Sequence, residues 1–202
     1  MFKKKEITNI LEIAKNAGDI IMEYYLDYKD SDISLKKDGS VVTKADLAAN
    51  ELIIQDLKRL FPDIDIVSEE NSEKDNLKAS KNKQYFMIDP LDGTSSFVKK
   101  SDEFTVNIAL ISNSKAIFGI IYLPAKDLMY FTDKNNDSQK IENYSTSQSQ
   151  SQGIKTTNNK NNLRVICTKR EPEKSEVIAD LKNRNVSIKE IISVSSSYKF
   201  CL

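Results

Sequence analysis

The chain contains no histidine and no tryptophan, and it has only two cysteines, four prolines and five glycines. The absence of histidine excludes Ser-His-Asp and Cys-His catalysis and any histidine-ligated metal within this chain. Cys167 and Cys201 form neither a zinc-ligand spacing nor a disulfide-dense framework. A reducing cytosol is therefore the expected compartment.

The chain also lacks an excess of charge of either sign and any long apolar run. Lysine plus arginine and aspartate plus glutamate number 30 each, which gives a formal net charge of zero. A nucleic-acid-binding protein would carry a basic excess or a basic stripe, and neither is found. The charged start at residues 1–6 has no apolar run behind it, and no segment approaches the length that spans a membrane. We therefore expect a cytoplasmic protein with no nucleic-acid partner and no integral membrane segment.

The most informative stretch is a short apolar run followed by two carboxylates. Residues 85–88 predict a buried strand, and the polar residues behind them predict a loop. Asp89 and Asp92 therefore emerge together where the strand ends, and Pro90 between them fixes one backbone φ. The same residue types are common in ordinary turns, so this motif alone would be weak support for a functional site.

The two residues after the second aspartate extend the motif. Gly93 lets the backbone approach a ligand closely, and Thr94 adds a hydroxyl beside backbone N–H groups. Carboxylate oxygens suit Mg²⁺, and a Gly-Thr turn suits the phosphate that usually accompanies Mg²⁺. The stretch predicts a metal-dependent phosphate site.

Two more carboxylates precede this motif at the ends of predicted elements. Thr43 is a candidate N-cap with Asp46 three residues on, ahead of a helical apolar stripe that ends before Pro62. Asp46 has two open interpretations, a capping carboxylate or a functional one. A strand at residues 64–67 delivers Glu69 at its end, where an acidic side chain is most often simply solvated.

The rest of the chain alternates between clear and weak patterns. An apolar stripe predicts a first helix across residues 7–25, and residues 71–84 predict no defined structure. Residues 133–162 are rich in serine and glutamine and predict an exposed loop between strands. A helix is expected from Pro172 to residue 181, and another is expected to start at residues 195–199. Five further segments have strand-like patterns: 105–111, 116–122, 128–132, 163–167 and 191–194. The first three of them predict an antiparallel meander.

Taken in order, these motifs resemble the inositol monophosphatase-like, lithium-sensitive phosphatases. Residues 89–94 (Asp-Pro-Leu-Asp-Gly-Thr) look like the metal-binding signature of that family, and residues 103–111 look like its 3′(2′),5′-bisphosphate nucleotidase branch. Ser195 departs from the pattern, since this branch commonly has glycine there. Other matching segments fall in the same order: 16–19, 42–46, 67–70 and 196–202.

The resemblance implies a layered α/β fold, an α+β sandwich of helices on antiparallel-rich sheets, as in the inositol monophosphatase and fructose-bisphosphatase-like sugar phosphatases. It divides the chain into a metal- and phosphate-binding part (1–133), a low-complexity loop (134–162) and the start of a C-terminal α/β part (163–202). The family continues through a Trp-Asp motif that completes the second metal site, and this sequence has no tryptophan. The expectation is therefore a C-terminally incomplete fold with poor turnover.

The resemblance also implies a set of metal ligands. Mg²⁺, as two or three ions, would be bridged by Asp89, with Glu69 and the carbonyl group of Leu91 holding the first ion and Asp92 the second. Glu69 would help to activate the attacking water. Asp46 and Thr94 would orient that water, which completes the predicted catalytic residues.

Substrate contacts are implied in the same way. The backbone N–H groups of Gly93 and Thr94 would receive phosphate oxygens, and Lys199 would meet the second phosphate of a nucleotide. The alternative interpretation of the segment that holds Lys199 is an ordinary serine cap of a helix. The predicted substrate-binding residues are Glu69, Leu91, Asp92, Gly93, Thr94, Ser197 and Lys199.

The implied activity is hydrolysis of the 3′-phosphate of 3′-phosphoadenosine 5′-phosphate (PAP) to AMP in sulfur assimilation or nucleotide recycling. The sulfated precursor PAPS, yielding APS, is a second candidate substrate. The alternatives are an inositol or sugar monophosphatase and a non-catalytic remnant that binds metal or nucleotide. The branch is associated with the inner face of the bacterial cytoplasmic membrane, but Lys3, Lys4 and Lys5 are too few to indicate surface binding by themselves. The sequence indicates no oligomeric state.

Overall fold

The computed structural model describes residues 2–29, 33–35, 41–156, 163–168 and 176–202. Two short 3₁₀ segments, Pro124–Lys126 and Ser197–Cys201, accompany the helices and strands. In chain order the other elements are α1 (Lys4–Leu26), β1 (Ile33–Leu35), β2 (Val41–Thr43), α2 (Lys44–Leu60), β3 (Asp65–Ser68), α3 (Glu73–Ala79), β4 (Gln84–Asp92), α4 (Thr94–Val98), β5 (Thr105–Ser112), β6 (Lys115–Leu123), β7 (Leu128–Thr132), β8 (Ser138–Glu142), β9 (Ser151–Gly153), β10 (Leu163–Cys167), α5 (Glu176–Asn183) and β11 (Ile188–Ser193).

Seven strands form the main sheet, in the order β3-β4-β5-β6-β7-β8-β9. β3 pairs with β4 in parallel, and every other neighbouring pair is antiparallel. The predicted meander is confirmed as β5, β6 and β7. Alternate residues of these strands point into one core, as Phe86 and Ile88 of β4 and Val106 and Ile108 of β5 illustrate.

Helices α1 and α2 cover the core face of this sheet. They contact each other, and α1 also contacts β5 and β6 while α2 contacts β4. The predicted apolar stripe of α1 is confirmed, because Ile10, Ala14, Ala17 and Ile21 are completely buried. Side chains at three- and four-residue steps share one helix face, which is why this stripe meets the sheet as a single surface.

A smaller parallel pair, β10 and β11, lies apart from the main sheet, and α5 comes between its strands in the sequence. The two predicted strands are confirmed. The predicted helix start at Pro172 lies outside the described residues, and α5 covers the C-terminal part of the expected span. The expected helix start at residues 195–199 is a 3₁₀ segment, Ser197–Cys201, whose cap residue Ser196 accepts the N–H of Tyr198 at 3.4 Å.

Residues 71–84 were predicted without structure, and here the prediction is wrong because α3 lies within them. The Ser72 hydroxyl accepts the N–H of Asp75 at 3.2 Å and donates to its carboxylate at 2.6 Å. Ala79 is buried, whereas Leu77 is 56% exposed. The helix therefore starts at a polar cap and carries almost no apolar stripe, the feature on which the prediction depended.

The stretch predicted as one exposed loop, residues 133–162, also contains two strands. β8 pairs with β7 and β9 pairs with β8, so the main sheet extends beyond Thr132 to Gly153. Ile141 is the one large apolar side chain of β8, and it is buried. Backbone hydrogen bonds, which need no particular side chains, explain why serine and glutamine residues continue the sheet.

The strand predicted at residues 85–88 is longer than expected. β4 continues through the central motif to Asp92, which pairs with Thr105 after an irregularity in the ladder. Among the described residues, no helix combines the length and hydrophobicity that crossing a bilayer requires.

Candidate active site

The two central aspartates lie where β4 pairs irregularly with β5. Asp89 is opposite Asn107 and Asp92 is opposite Thr105, with a register shift between the aspartates. Pro90 lies inside this stretch and has no N–H to donate to a sheet ladder. The irregularity brings both carboxylates to the same end of β4, as the sequence predicts.

Glu69 reaches this end of the sheet because β3 and β4 run in parallel. Ser68 pairs with Ile88, and the N–H of Glu69 donates to the Ile88 carbonyl group at 3.3 Å. The Glu69 side chain is exposed and the Asp89 side chain is half-buried. Both residues line a cavity of about 690 Å³ together with Ser197. Three of the predicted site residues therefore share one cavity.

Asp46 approaches from the first turn of α2. Its Oδ2 accepts the Thr43 N–H at 2.8 Å and the Thr43 hydroxyl at 2.5 Å, and that hydroxyl accepts the Asp46 N–H at 3.4 Å. This reciprocal pair is the predicted cap of α2. Only 2% of Asp46 is exposed, so the carboxylate is fixed inside the protein and not in solvent.

The second oxygen of Asp46 connects α2 to the central motif. The Thr94 hydroxyl lies 3.2 Å from Asp46 Oδ1 and 3.2 Å from the carbonyl oxygen of Leu91, so it can donate to either acceptor. Leu91 itself is buried. The structure therefore brings Asp46, Leu91 and Thr94 together, and the capping interpretation of Asp46 and the functional one are compatible.

The electrostatics of Asp89 distinguish this site from a solvated acidic edge. Burial, followed by the negative charges of Glu69, Asp92 and Asp46, raises the pKa of Asp89 to about 8, against a hydrogen bond from the Leu91 backbone that lowers it. Three carboxylates near a buried carboxyl group make a region of negative potential. Such a region attracts a cation.

The pKa of Asp46 is raised in the same way as that of Asp89. Burial raises its pKa to about 6, the hydrogen bonds from Thr43 lower it, and the charge of Glu70 raises it further. Glu70, next to the predicted ligand Glu69, therefore acts on a site residue through its charge. Asp46 therefore changes protonation close to neutral pH, where a group that exchanges protons with water is most useful.

Asp92 is held by a segment from the other end of the chain. The backbone N–H of Ser197 donates to Asp92 Oδ2, and the Ser197 hydroxyl donates to the same oxygen at 2.6 Å. Thr105 and Asn107 also donate to this oxygen, each at 3.4 Å. The predicted residues Asp92 and Ser197 are therefore in direct contact.

Asn107 is a site residue that sequence reasoning did not single out. Its Nδ2 donates to the Ser197 hydroxyl at 3.0 Å, and its buried Oδ1 has no hydrogen-bond partner among the described residues. A buried amide oxygen of this kind usually has a ligand, an ion or a water as its partner. The feature that could have identified Asn107 was its position in the strand that pairs with β4, opposite Asp89.

Gly93 and Lys199 lie on a second cavity, of about 430 Å³. Gly93 has φ +90°, and a Cβ atom added there would lie 3.0 Å from the Glu103 carbonyl oxygen and 3.1 Å from Ser196 Cβ. Lys199 Nζ donates to the Ser196 carbonyl group at 3.0 Å. The structure therefore separates these two predicted substrate contacts from the cavity of Glu69 and Asp89.

The donor set suits a hard divalent cation. Glu69, Asp89 and Asp92 supply carboxylate oxygens and Leu91 a carbonyl oxygen, which are the ligands that Mg²⁺ prefers. Within the described residues, no three acidic or cysteine side chains already lie at the spacing of a metal-ligand group. Ser197 donates two hydrogen bonds to Asp92 Oδ2, so a cation would have to compete with Ser197 for this oxygen.

A family model described as the inositol monophosphatase family matches residues 3–202. The 3′(2′),5′-bisphosphate nucleotidase CysQ of Buchnera aphidicola subsp. Acyrthosiphon pisum is 36% identical over 202 residues, which cover 98% of this chain and 71% of that protein. The protein of the same name from Shigella flexneri is 43% identical over 124 residues, 61% of this chain and 50% of that one. The chain therefore spans about half the length of several curated relatives that it matches.

A crystal structure of CysQ from Bacteroides thetaiotaomicron, described as a bacterial member of the inositol monophosphatase family, superposes with a TM-score of 0.75 at 27% identity. The match covers 100% of this chain and 76% of that one. It confirms the layered α/β fold expected from the sequence.

Proposed function

Because the chain belongs to the inositol monophosphatase family, we propose that it acts as a Mg²⁺-dependent phosphatase on the 3′-phosphate of PAP, releasing AMP. The names of its nucleotidase relatives support this substrate class. One observation in the structure supports it most: burial, together with the negative charges of Glu69, Asp92 and Asp46 near Asp89, raises the pKa of Asp89 to about 8. This concentration of negative charge needs a cation and would repel a phosphate without one.

The proposed ligands are those that the resemblance implies, and the shared cavity of Glu69 and Asp89 supports them. Asp89 is central and would be shared by ions, Glu69 and the Leu91 carbonyl group would complete the first position, and Asp92 would serve the second, for two or three Mg²⁺ ions in all. When bound, such ions lower the pKa of a water nucleophile and stabilise the leaving oxygen. Asp92 would have to exchange at least one hydrogen bond from Ser197 to serve as a ligand.

The attacking water would be oriented by Thr94 and Asp46. When the Thr94 hydroxyl donates to Asp46, its oxygen can accept a hydrogen from water, and Asp46 can take up the proton through this bond. A pKa of about 6 suits that exchange at neutral pH. The N–H groups of Gly93 and Thr94 would bind the phosphate oxygens, while Ser197 and Lys199 would contact the nucleotide.

We further propose that residues 1–133 form the metal- and phosphate-binding part and that residues 163–202 contribute the nucleotide contacts. The placement of all four carboxylates before residue 93, and the contact of Ser197 with Asp92, support this division. A cytoplasmic location is in keeping with two free cysteines.

The proposal is tested by phosphate release from PAP with Mg²⁺, with and without Li⁺. We expect lithium-sensitive release that Asp89→Asn lowers by on the order of 100-fold or more, since losing only an outer partner of a metal ligand costs up to about 100-fold. Asp63→Asn is the matched control, because Asp63 is an exposed carboxylate outside the cluster. PAPS is assayed in parallel as the second candidate substrate.

Two outcomes would overturn the proposal in different ways. Equal release from inositol 1-phosphate and PAP would favour the inositol or sugar monophosphatase. A folded chain that binds nucleotide or Mg²⁺ without releasing phosphate would favour a non-catalytic binding role.

A further inference from the structure

Ser68, the residue before Glu69, is fixed by three elements although it ends an edge strand. β3 lies at one edge of the main sheet, and β4 is its one strand neighbour among the described strands. The N–H of Glu69 donates to the Ile88 carbonyl group of β4, whereas the Ser68 N–H and carbonyl group form hydrogen bonds with a side chain of α3. Ser68 is completely buried, so these backbone groups need partners within the protein.

Asn76 of α3 supplies both partners with the two ends of its carboxamide. Its Oδ1 accepts the Ser68 N–H at 3.1 Å, and its Nδ2 donates to the Ser68 carbonyl oxygen at 2.6 Å. A carboxamide carries a donor and an acceptor, as a peptide group does. Asn76 therefore pairs with Ser68 as a residue of an antiparallel neighbouring strand would.

The Ser68 hydroxyl connects the same residue in two further directions. It donates to Oδ1 of Asn50, on α2, at 2.6 Å, and it accepts the N–H of Glu70 at 3.2 Å. The residues on both sides of Glu69 are thus held by hydrogen bonds. The backbone that carries the Glu69 carboxylate has a defined position even though this side chain is exposed.

Asn76 lies close to the site that Glu69 serves. Both residues line the cavity of about 690 Å³ and an adjoining one of about 360 Å³. Helix α3 packs on β3 and buries little apolar surface, since Ala79 is buried but Leu77 is 56% exposed. Apolar packing therefore does not explain an asparagine at position 76, and its two hydrogen bonds act on the residue before a predicted Mg²⁺ ligand.

We propose that Asn76 is a positioning residue for Glu69: it fixes the Ser68 backbone and thereby the point from which the Glu69 carboxylate reaches a divalent cation. The inference rests on the proposed function for the role of Glu69 as a metal ligand. A ligating group has to be held within about 0.5 Å of its productive position by supporting residues. Loss of an outer partner of a metal ligand lowers metal affinity by about 10- to 100-fold. Asn76 acts through the backbone of the preceding residue, so we expect an effect at the lower end of this range.

The experiment measures the dissociation constant of Mn²⁺, a paramagnetic substitute for Mg²⁺, from the EPR signal of the free ion, without substrate. Asn76→Leu is the main variant, because leucine has the shape of asparagine and a higher helix propensity. This variant keeps α3 and removes both hydrogen bonds to Ser68. We expect the dissociation constant to rise about tenfold, at the same Mn²⁺ site that Glu69→Gln weakens. In the PAP assay, the Mg²⁺ concentration for half-maximal release should rise by about the same factor, with KM for PAP changed less than about twofold.

Ser72→Ala is the matched control, since it removes the cap of α3 and leaves the carboxamide of Asn76 in place. It should change the Mn²⁺ dissociation constant by less than about twofold. The same constant in wild type and Asn76→Leu would overturn the inference. Equal increases in Asn76→Leu and Ser72→Ala would also overturn it, because α3 would then act only by being folded.

Failure of the proposed function would be distinct from failure of this inference. If wild type released no phosphate from PAP while Mn²⁺ binding still depended on Asn76, only the proposed function would fail. If PAP were hydrolysed while Asn76→Leu bound Mn²⁺ as wild type does, only the role of Asn76 would fail. Absence of Mn²⁺ binding to wild type at several millimolar would overturn both, because both need the metal site.

Discussion

Ser197 and Asp92 lie 105 positions apart in the chain, yet the serine donates both its backbone N–H and its hydroxyl to one oxygen of the aspartate. Asn107 donates to the Ser197 hydroxyl at 3.0 Å and so links both residues to β5. Hydrogen bonds to a carboxylate are stronger than those between neutral groups. This contact therefore holds the 3₁₀ segment beside the end of β4 and assembles the site from both ends of the chain.

Replacing this serine should destabilise the chain measurably. Ser197→Ala removes the hydroxyl donor at 2.6 Å but keeps the backbone N–H. A hydrogen bond to a charged group contributes about 1.5–3 kcal/mol, so we expect a loss of about 2 kcal/mol in the free energy of unfolding, measured by urea denaturation at pH 7 without metal.

Ser195→Ala provides the comparison within the same segment. Its hydrogen bond to Glu103 uses the backbone N–H, which alanine keeps, so the free energy of unfolding should change by less than about 0.5 kcal/mol. Equal losses in both variants would show that the Ser197 hydroxyl does not stabilise the segment through Asp92.

The stability of the metal-free chain should fall as pH rises. The Asp89 carboxyl has a reference pKa of 3.8 and a pKa of about 8 in the folded chain, so between these values the folded state binds more protons than the unfolded state. The stabilisation that the Asp89 carboxyl group contributes is fully present below about pH 4 and is lost as the pH approaches 8. Asp46, with a pKa of about 6, acts in the same direction, and no histidine titrates in this window.

Thermal unfolding in EDTA at pH 5.5 and pH 8 measures this effect. We expect a lower Tm at pH 8, and Asp89→Asn should raise that Tm by about 2–4 °C or more, since about 1 kcal/mol shifts Tm by this amount in a chain of this size. Mg²⁺ should stabilise wild type at pH 8 more than Asp89→Asn. A Tm of wild type that is the same at both pH values would contradict the assigned repulsion.

Local signals explain what could be predicted from the sequence. The apolar stripe of α1, the Thr43–Asp46 cap and the strand before Asp89 each depend on residues within a few positions, and all three are present. The resemblance, which rests on several ordered motifs, led to the layered fold and to the family. Glu69 and Asp89 are brought to one end of the sheet because two parallel strands end together. The strand pattern alone indicated a solvated Glu69, and only the resemblance placed this residue at the site.

The features that were missed depend on contacts without a local pattern. α3 begins at the polar cap of Ser72 and buries little, and β8 continues the sheet with one buried isoleucine, so neither shows the expected periodicity. Asn107 meets Ser197 across 90 positions. Such pairs follow from the packing of the whole chain, which hydrophobic periodicity does not encode.

Gly93 and Gly119 offer a test of the backbone at the site. Gly93→Ala forces an L residue to φ +90° and brings its Cβ 3.0 Å from the backbone at Glu103, so we expect a loss of about 1–3 kcal/mol in the free energy of unfolding. Gly119→Ala, in the middle of β6, meets nothing within 4 Å and should leave stability unchanged or raise it by about 0.4–1 kcal/mol. Chemical denaturation of both variants distinguishes local strain at Gly93 from a general intolerance of the sheet to substitution. A Gly93→Ala chain as stable as wild type would contradict the close approach of Ser196 to Gly93.

The cap of α2 should contribute more than an ordinary helix cap, because it also holds a buried carboxylate. Thr43→Ala removes the hydroxyl that donates to Asp46 at 2.5 Å and accepts the Asp46 N–H, and it leaves an anion in an environment that is 2% exposed. We expect the free energy of unfolding to fall by about 2 kcal/mol, at the upper end for helix caps. The pKa of Asp46 should rise above its present value of about 6, because the hydrogen bond that Thr43→Ala removes lowers this pKa.

Ser72→Ala, at the exposed cap of α3, should lower the free energy of unfolding by about 0.5–1 kcal/mol. The two variants are compared by urea denaturation at pH 5 and pH 8, where the Thr43→Ala loss should be larger at pH 8, since Asp46 is then ionised; a loss independent of pH would assign the whole effect to the cap.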